Sequence, residues 1–140
     1  MPVILGLDVG SRKVGIALSD ESAMLATPHS TVERNGRKAE NAILKLIKEL
    51  GIKTVVVGLP YSTSGERTPI CREIENFCRR LMKRANIRVE YMDESLTTVE
   101  AEAKLRESGK RIGDMRKKGM LDAAAAAIIL QSYLNLKDTD

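Results

Sequence analysis

Acidic residues stand at points of this sequence where apolar segments begin or end, and carboxylates in such places can do chemistry. Asp8 follows the apolar run over residues 3–7, and Asp93 and Glu94 follow a later run. Asp122 stands directly before five consecutive alanines. Carboxylates gathered at one point bind hard divalent cations such as Mg²⁺ or Mn²⁺ through oxygen. Two such ions roughly 4 Å apart can activate water and stabilise the leaving oxygen in phosphodiester hydrolysis.

Each of these acids also has a purely structural interpretation. Asp122 can cap a helix or complement its macrodipole, and Asp8 can form a turn with the residues that follow it. Asp93 and Glu94 can be surface acids at a strand end. The conjunction of the acids is more informative than any one of them. Asp122 in particular lies on an otherwise apolar helix, where a carboxylate needs a partner or a metal.

Hydrophobic periodicity predicts the elements that must position these acids. Apolar runs indicate strands, three- and four-residue steps indicate helices, and a proline in the third run favours an edge strand. The predicted elements are strands at 3–7, 14–18 and 25–32, a helix at 39–50 capped by Gly51, a strand at 54–59, a helix with the stripe Ile70, Ile74, Phe77, Cys78 and Leu81, a strand burying Ile87, Val89 and Tyr91, a helix at 97–109 and a last helix ending at Leu134.

This order, β-β-β-α-β-α-β-α-α, predicts one α/β domain over residues 1–136 with a frayed tail at 137–140. Short turns favour an antiparallel trio of strands, and the helical connections favour parallel crossovers after it. We expect the first and fourth strands to be neighbours. Because sites in such sheets lie outside the carboxyl ends of the parallel strands, acids at strand ends are expected to converge there.

The distribution of charge points to a polyanionic partner. The 140 residues carry a net charge of +4, and residues 104–118 hold seven basic side chains against two acidic ones. Such clusters favour nucleic acid, although solvated helix faces have the same composition. A glycine-punctuated basic loop precedes Asp122, and we predict that it holds the substrate backbone beside the acids. The residues of this loop that we predict to bind the nucleic-acid backbone are Arg111, Arg116, Lys117 and Lys118.

Composition excludes several other classes of protein. The longest apolar run near the start covers residues 2–7, far short of a membrane span and unlike a signal peptide. Cys71 and Cys78 are predicted to be buried thiols in a reducing cytoplasm. With one Phe, three Tyr and no Trp, base stacking is not the main binding mode. The lone His29 is interpreted as structural, and the chain is expected to be a monomer or a homodimer.

Several motifs occur in order along the chain: GLDVG at 6–10, VGIA at 14–17, VGLP at 57–60, DESLTT at 93–98 and the Asp122–Ala123 pair. Together they resemble the YqgF family over residues 2–135. Members of that family are described as pre-16S rRNA nucleases and as Holliday junction resolvases with an RNase H-like fold. The resemblance implies a five-stranded mixed sheet flanked by helices. It also implies metal-dependent cleavage of rRNA precursor or branched DNA.

The resemblance also implies roles for individual residues. Asp8, Glu94 and Asp122 match the family's catalytic carboxylates, which would hold one or two Mg²⁺ or Mn²⁺ ions, while Asp93 ranks as a supporting acid. Lys13 stands where the family's hairpin carries a basic residue and would bind nucleic acid. Ser95 departs from the pattern, because the family often has arginine there, and this puts one phosphate contact in doubt.

Two other functions compete with this interpretation. The D-x-G turn also resembles the phosphate loop of the actin and sugar-kinase ATPases. Those enzymes close two domains over a nucleotide, and 140 residues supply only one. A nucleic-acid-binding protein without catalytic activity is the stronger rival, and cleavage assays with and without EDTA discriminate between the two.

Overall fold

The computed structural model describes residues 3–60, 66, 68–94, 103 and 121–138. These residues form β1 (Leu5–Val9), β2 (Lys13–Ser19), β3 (Ala26–Glu33), α1 (Lys38–Leu50), β4 (Thr54–Leu59), α2 (Pro69–Arg84), β5 (Arg88–Asp93) and α3 (Leu121–Asp138). The helix predicted at 97–109 falls, apart from residue 103, outside the described residues. No described helix combines the length and apolar character needed to cross a bilayer.

The strands form one mixed sheet in the order β3-β2-β1-β4-β5. β1 pairs antiparallel with β2, and β2 with β3, whereas β1 pairs parallel with β4, and β4 with β5. The predicted antiparallel trio, the parallel crossovers and the neighbouring first and fourth strands are therefore confirmed. β3 lies at an edge, as its proline indicated, because Pro28 has no N–H to donate to a further strand.

β1 begins and ends two residues later than the sequence predicted, and this changes the position of Asp8. Pairing continues beyond Leu7, because Asp8 lies opposite Gly15 and Val9 lies opposite Val14 in the β1–β2 hairpin. The predicted end of the strand at residue 7 was therefore wrong, and Asp8 lies inside the strand. Since successive side chains of a strand point to opposite faces, Leu7 and Val9 enter one core while Asp8 faces the other side.

α1 and α2 cover the first face of the sheet. Their apolar side chains pack on Leu7, Ile16 and Val57 in one buried cluster. Gly51 ends α1 in the left-handed conformation with a φ of 64°, which confirms the predicted C-cap. Cys71 and Cys78 are free and buried, as predicted.

Two apolar side chains are more exposed than their sequence patterns predicted. Ile70 is 54% exposed, and Cys71 takes the buried place at the start of α2. Both residues fit the helical spacing to Ile74, and contact with the sheet selects Cys71. Tyr91 is 38% exposed because β5 is an edge strand, whose side chains are covered from one side only.

α3 covers the opposite face of the sheet, where it packs on Ala17 and Val56. Most of the alanines that begin this helix are buried, and their small side chains let it come close to the strands, as the sequence predicted. Gln131 is fully buried and accepts a hydrogen bond of 2.9 Å from the backbone N–H of Ala26, which ties α3 to the start of β3. The predicted end at Leu134 was too early. The helix continues to Asp138 and so includes part of the segment that we predicted to be a frayed tail.

Candidate active site

Asp8 and Glu94 form the centre of the site. Asp8 lies on β1, and Glu94 directly follows β5, so the strand β4 lies between them. Gly58 of β4 makes room for the glutamate, because a Cβ atom there would lie 3.1 Å from Glu94 Oε1 and 2.6 Å from Ile129 Cδ1. The Glu94 side chain crosses this gap, and its carboxylate accepts a hydrogen bond from the carboxyl group of Asp8.

The two acids perturb each other's protonation. Burial, followed by the charges of Glu94 and Asp122, raises the pKa of Asp8 to about 7. Burial also raises the pKa of Glu94, as does the charge of Asp93, whereas the hydrogen bond from Asp8 lowers it. Asp8 is therefore only partly ionised near neutral pH, and its protonated carboxyl group donates to Glu94.

Asp122 approaches the pair from the helical layer. It is the second residue of α3, is half-buried and has a charge that reaches Asp8. The start of the helix rests on Gly15 of β2, where any Cβ atom would overlap the backbone carbonyl oxygen of Asp122. Asp8 and Glu94 are thus in contact and Asp122 is within electrostatic reach. Among the described residues, however, no three acidic, His or Cys side chains are close enough to hold an ion as they stand.

A cavity of about 230 Å³ opens beside the two acids. Asp8 and Glu94 line one wall, and Ala125, Ile128 and Ile129 of α3 line the other. A polar substrate group in this cavity would meet carboxylate oxygens on one side and hydrocarbon on the other.

The donor set fits the hard cations that the family resemblance implies. All the candidate ligands are carboxylate oxygens, which is the ligand type that Mg²⁺ and Mn²⁺ prefer. Burial and the charges of Glu94 and Asp122 raise the pKa of Asp8, and a positive neighbour would relieve this crowding of negative charge. A divalent cation between Asp8 and Glu94, with Asp122 nearby, would be such a neighbour.

The other predicted site residues divide into two groups. Asp93 ends β5 and acts on the pair through its charge, as a supporting acid would, and Lys13 is exposed at the start of β2. His29 is exposed on the edge strand with its ring beside the Ser30 hydroxyl. The remaining predicted residues, Ser95, Arg111, Arg116, Lys117 and Lys118, lie outside the described residues.

The sequence reasoning missed what the glycines do in this site. Gly15 and Gly58 carry no chemistry, yet they set how closely Asp122 and Glu94 approach Asp8. The available signal was a glycine inside a strand pattern, which marks a place where another part of the chain comes close.

The fold is that of the RNase H-like resolvases. T. thermophilus RuvC, solved in complex with a Holliday junction substrate, superimposes with a TM-score of 0.59 at 14% identity, covering 97% of this chain and 96% of that chain. The fowlpox virus resolvase, solved with Holliday junction DNA, gives a TM-score of 0.57 at 13% identity, covering 96% and 98%. These likenesses confirm the predicted fold class.

Sequence comparison narrows the class to one family. The model of the family described as "RuvX: Holliday junction resolvase" matches residues 2–136. A protein of Trichormus variabilis is 39% identical over 137 residues, which are 97% of this chain and 89% of the relative. One of Chloroflexus aurantiacus is 41% identical over 138 residues, 96% and 88% of the two chains. Both carry the name "Putative pre-16S rRNA nuclease".

The chain belongs to the RuvX family, also called YqgF, which confirms the resemblance drawn from its motifs. Membership of this nuclease family makes it a hydrolase of phosphodiester bonds. The non-catalytic binding protein and the ATPase are thereby set aside.

Proposed function

We propose that this chain is a metal-dependent endonuclease that acts in 5′-end processing of pre-16S rRNA during ribosome biogenesis. The observation that carries the proposal is the hydrogen-bonded pair of Asp8 and Glu94, with the charge of Asp122 directed at it. The name carried by relatives of about 40% identity supports the choice of an rRNA precursor.

The residues of the pair have distinct tasks in this proposal. Asp8 must be ionised before the site carries its full negative charge, and its pKa of about 7 places that ionisation near neutral pH. Glu94, Asp8 and Asp122 would then hold one or two Mg²⁺ or Mn²⁺ ions. Such ions, when bound, activate water and stabilise the leaving oxygen of the phosphodiester. The wall formed by Ala125, Ile128 and Ile129 limits the water that reaches the acids from the helical side.

Cleavage of a 5′-extended rRNA precursor by purified protein tests the proposal. We expect product with Mg²⁺ or Mn²⁺ and none in EDTA. Asp8→Asn should lower the rate by more than about 100-fold, because even supporting groups behind metal ligands contribute up to that factor. Glu49→Gln is the matched control, since it removes one exposed carboxylate on α1, and it should cleave at the wild-type rate. Cleavage that persists in EDTA or in Asp8→Asn contradicts the assignment.

A second candidate substrate is branched DNA. The likeness to RuvC, at a TM-score of 0.59, and the description of the family as resolvases favour it. A four-way DNA junction offered beside the rRNA precursor separates the two candidates. Faster cleavage of the junction, with symmetric nicks, would favour the resolvase, and faster cleavage of the precursor would favour the rRNA nuclease.

We place this activity in the cytoplasm. Cys71 and Cys78 are free buried thiols, which is the state that a reducing compartment maintains. Cell fractionation with an antibody against the chain tests the location, and recovery of the protein outside the cytoplasm contradicts it.

A further inference from the structure

A notch lies at the turn between β1 and β2, outside the acidic site. It has a volume of about 400 Å³ and is lined by Ser11, Arg12, Lys13, Glu33, Arg34 and Asn35. The turn follows the last paired residues of the hairpin, Val9 and Val14, and so begins just after Asp8. The notch therefore opens at the same end of the sheet as the candidate active site.

Arg34 holds the notch in shape. Its Nη1 donates a hydrogen bond of 2.9 Å to the carbonyl oxygen of Gly10, and its backbone N–H donates one of 2.8 Å to the carbonyl oxygen of Arg12. The guanidinium also lies 5.1 Å from the centre of the Phe77 ring, a distance typical of a cation–π contact. Because a guanidinium has five N–H donors, Arg34 can brace the turn and still bind an anion. The turn is thus organised before any ligand arrives.

The charge of the notch is positive and not neutralised from within the described chain. Three cations, Arg12, Lys13 and Arg34, line it against the single carboxylate of Glu33. Arg12 and Lys13 are exposed, and their side chains make no ion pair or hydrogen bond with any described residue. Other basic residues differ, since Arg80 and Arg84 both pair with the buried Glu40.

The position of the notch suits a nucleic-acid backbone that crosses this end of the sheet, with Arg34 on the α2 side and Asp8 on the α3 side. β2 separates β1 from β3, so the end of β3 lies ~10 Å from β1 at the usual strand spacing. This offset applies to Glu33 and Arg34, whereas Arg12 and Lys13 lie in the turn that directly follows β1. Because stacked nucleotides advance ~3.4 Å along a strand, the notch lies within about three nucleotides of β1. Resting on the proposed nuclease function, we propose that the notch binds a backbone phosphate of the substrate strand, within about three nucleotides of the bond held at Asp8 and Glu94.

Binding measurements in EDTA test this inference without relying on catalysis. The probes are a fluorescein-labelled 5′-extended rRNA precursor fragment and a labelled four-way DNA junction, titrated between about 50 and 200 mM KCl. The double variant Arg12→Ala with Lys13→Ala should bind whichever probe the wild type prefers about tenfold more weakly, with a salt slope flatter by about one. The control, Lys45→Ala with Lys48→Ala, removes equal charge from α1 near the other end of the sheet and should bind like the wild type.

A neutral methylphosphonate moved along the substrate strand locates the contact. At one position near the cleaved bond it should weaken binding by the wild type and leave the double variant unaffected. Equal affinities and slopes for the wild type and the double variant would overturn the inference, even if the wild type cleaves the substrate. The inference is upheld if Arg12→Ala with Lys13→Ala loses affinity while Lys45→Ala with Lys48→Ala binds like the wild type. This holds even if neither the wild type nor any variant cleaves the substrate.

Discussion

Two carboxylates in contact cannot both carry a full charge at low cost, and the site shows how this chain meets that constraint. Burial and neighbouring charge raise the pKa of Asp8 to about 7, so near neutral pH Asp8 is partly protonated, and the protonated carboxyl donates a hydrogen bond to Glu94. The arrangement stabilises the chain in the absence of a cation. It also marks the place where a cation would bind. A proton and a metal cation both supply positive charge that offsets the repulsion between the two carboxylates.

The pH dependence of folding stability follows from the pKa of Asp8. Burial and neighbouring charges raise it from 3.8 to about 7, so the folded state holds a proton that the unfolded state releases between these values. In EDTA the contribution of Asp8 to stability is therefore complete below pH ~4 and is lost as the pH rises through ~7. At ~1.4 kcal/mol per pKa unit the loss is at most about 4 kcal/mol. Denaturant unfolding from pH 4 to pH 8 measures it.

Asp8→Asn is the comparison for the dependence of unfolding free energy on pH, because the asparagine side chain cannot ionise. The difference in free energy of unfolding between the variant and the wild type should grow in favour of the variant between pH 4 and pH 8. A constant difference across this range would mean that Asp8 has an ordinary pKa.

Mg²⁺ should stabilise the folded chain at pH 8, which lies above the pKa of about 7 of Asp8. A ligand that binds only the folded state adds about 2.7 kcal/mol at 100 times its Kd, so the Tm should rise by several degrees. Thermal unfolding across a millimolar Mg²⁺ titration measures the effect. Glu94→Gln should remove most of the rise, and the surface variant Glu49→Gln should retain it. A wild-type Tm that does not change across the Mg²⁺ titration would contradict the proposed metal site.

At the scale of elements, the site depends on how closely α3 approaches the sheet. The helix begins on Gly15, passes Gly6 and Gly58 and is fastened to β3 by Gln131, past its midpoint. The strand glycines have no side chains and the helix alanines have only methyl groups, so the two backbones come close together. The position of Asp122 relative to Asp8 is therefore a property of packing between elements, and neither element sets it alone.

Gly15→Ala tests this packing. The added Cβ atom would overlap the carbonyl oxygen of Asp122, so α3 must move away from β2. Overpacking of this kind costs about 1–3 kcal/mol, and we expect the displaced Asp122 to lower the cleavage rate at temperatures where the variant remains folded. Circular dichroism and the rRNA cleavage assay measure the two effects.

Gly36→Ala is the matched control for Gly15→Ala. Gly36 has a φ of +61° and no atoms close to its missing Cβ, so the substitution costs only backbone strain of about 1–2 kcal/mol. It should lower stability to a similar degree while the cleavage rate stays at the wild-type value. Equal loss of activity in both variants would show that general destabilisation, rather than the position of Asp122, is responsible.

At the scale of the whole molecule, one sheet carries two separate cores. α1 and α2 cover one face, α3 covers the other, and the strands belong to both. The active edge of the sheet then combines an acidic centre with a positively charged notch beside it. A phosphate backbone is repelled by the first and attracted by the second, which explains why a chain with a negative site carries a net charge of +4.

Because the strands are shared, damage to either core should unfold the whole domain. Leu81→Ala empties space in the first core and Leu130→Ala in the second, both at fully buried positions. Each should cost about 2–5 kcal/mol. We expect a single unfolding transition that coincides by far-UV circular dichroism and by tyrosine fluorescence. Two separated transitions in Leu130→Ala would show that α3 detaches from an intact sheet.

Much of this fold could be predicted from the sequence because its signals are local. The run at 54–59 became β4 with the predicted bounds, and Gly51 ended α1 because glycine adopts the left-handed conformation without strain. The motifs around Asp8, Glu94 and Asp122 indicated the family, and the candidate acids with it. Local spacing could not decide between Ile70 and Cys71, which are both correctly spaced from Ile74.

What the sequence determined by itself was which residues are present, which elements they form and that acids stand near the ends of those elements. Only the tertiary structure decided that Glu94 crosses β4 at Gly58 to meet Asp8, and that Asp122 rests over Gly15. These contacts join residues far apart in the chain, so no local propensity encodes them. They arise when the strands take their order and α3 packs across them, and the burial that results also raises the pKa of Asp8.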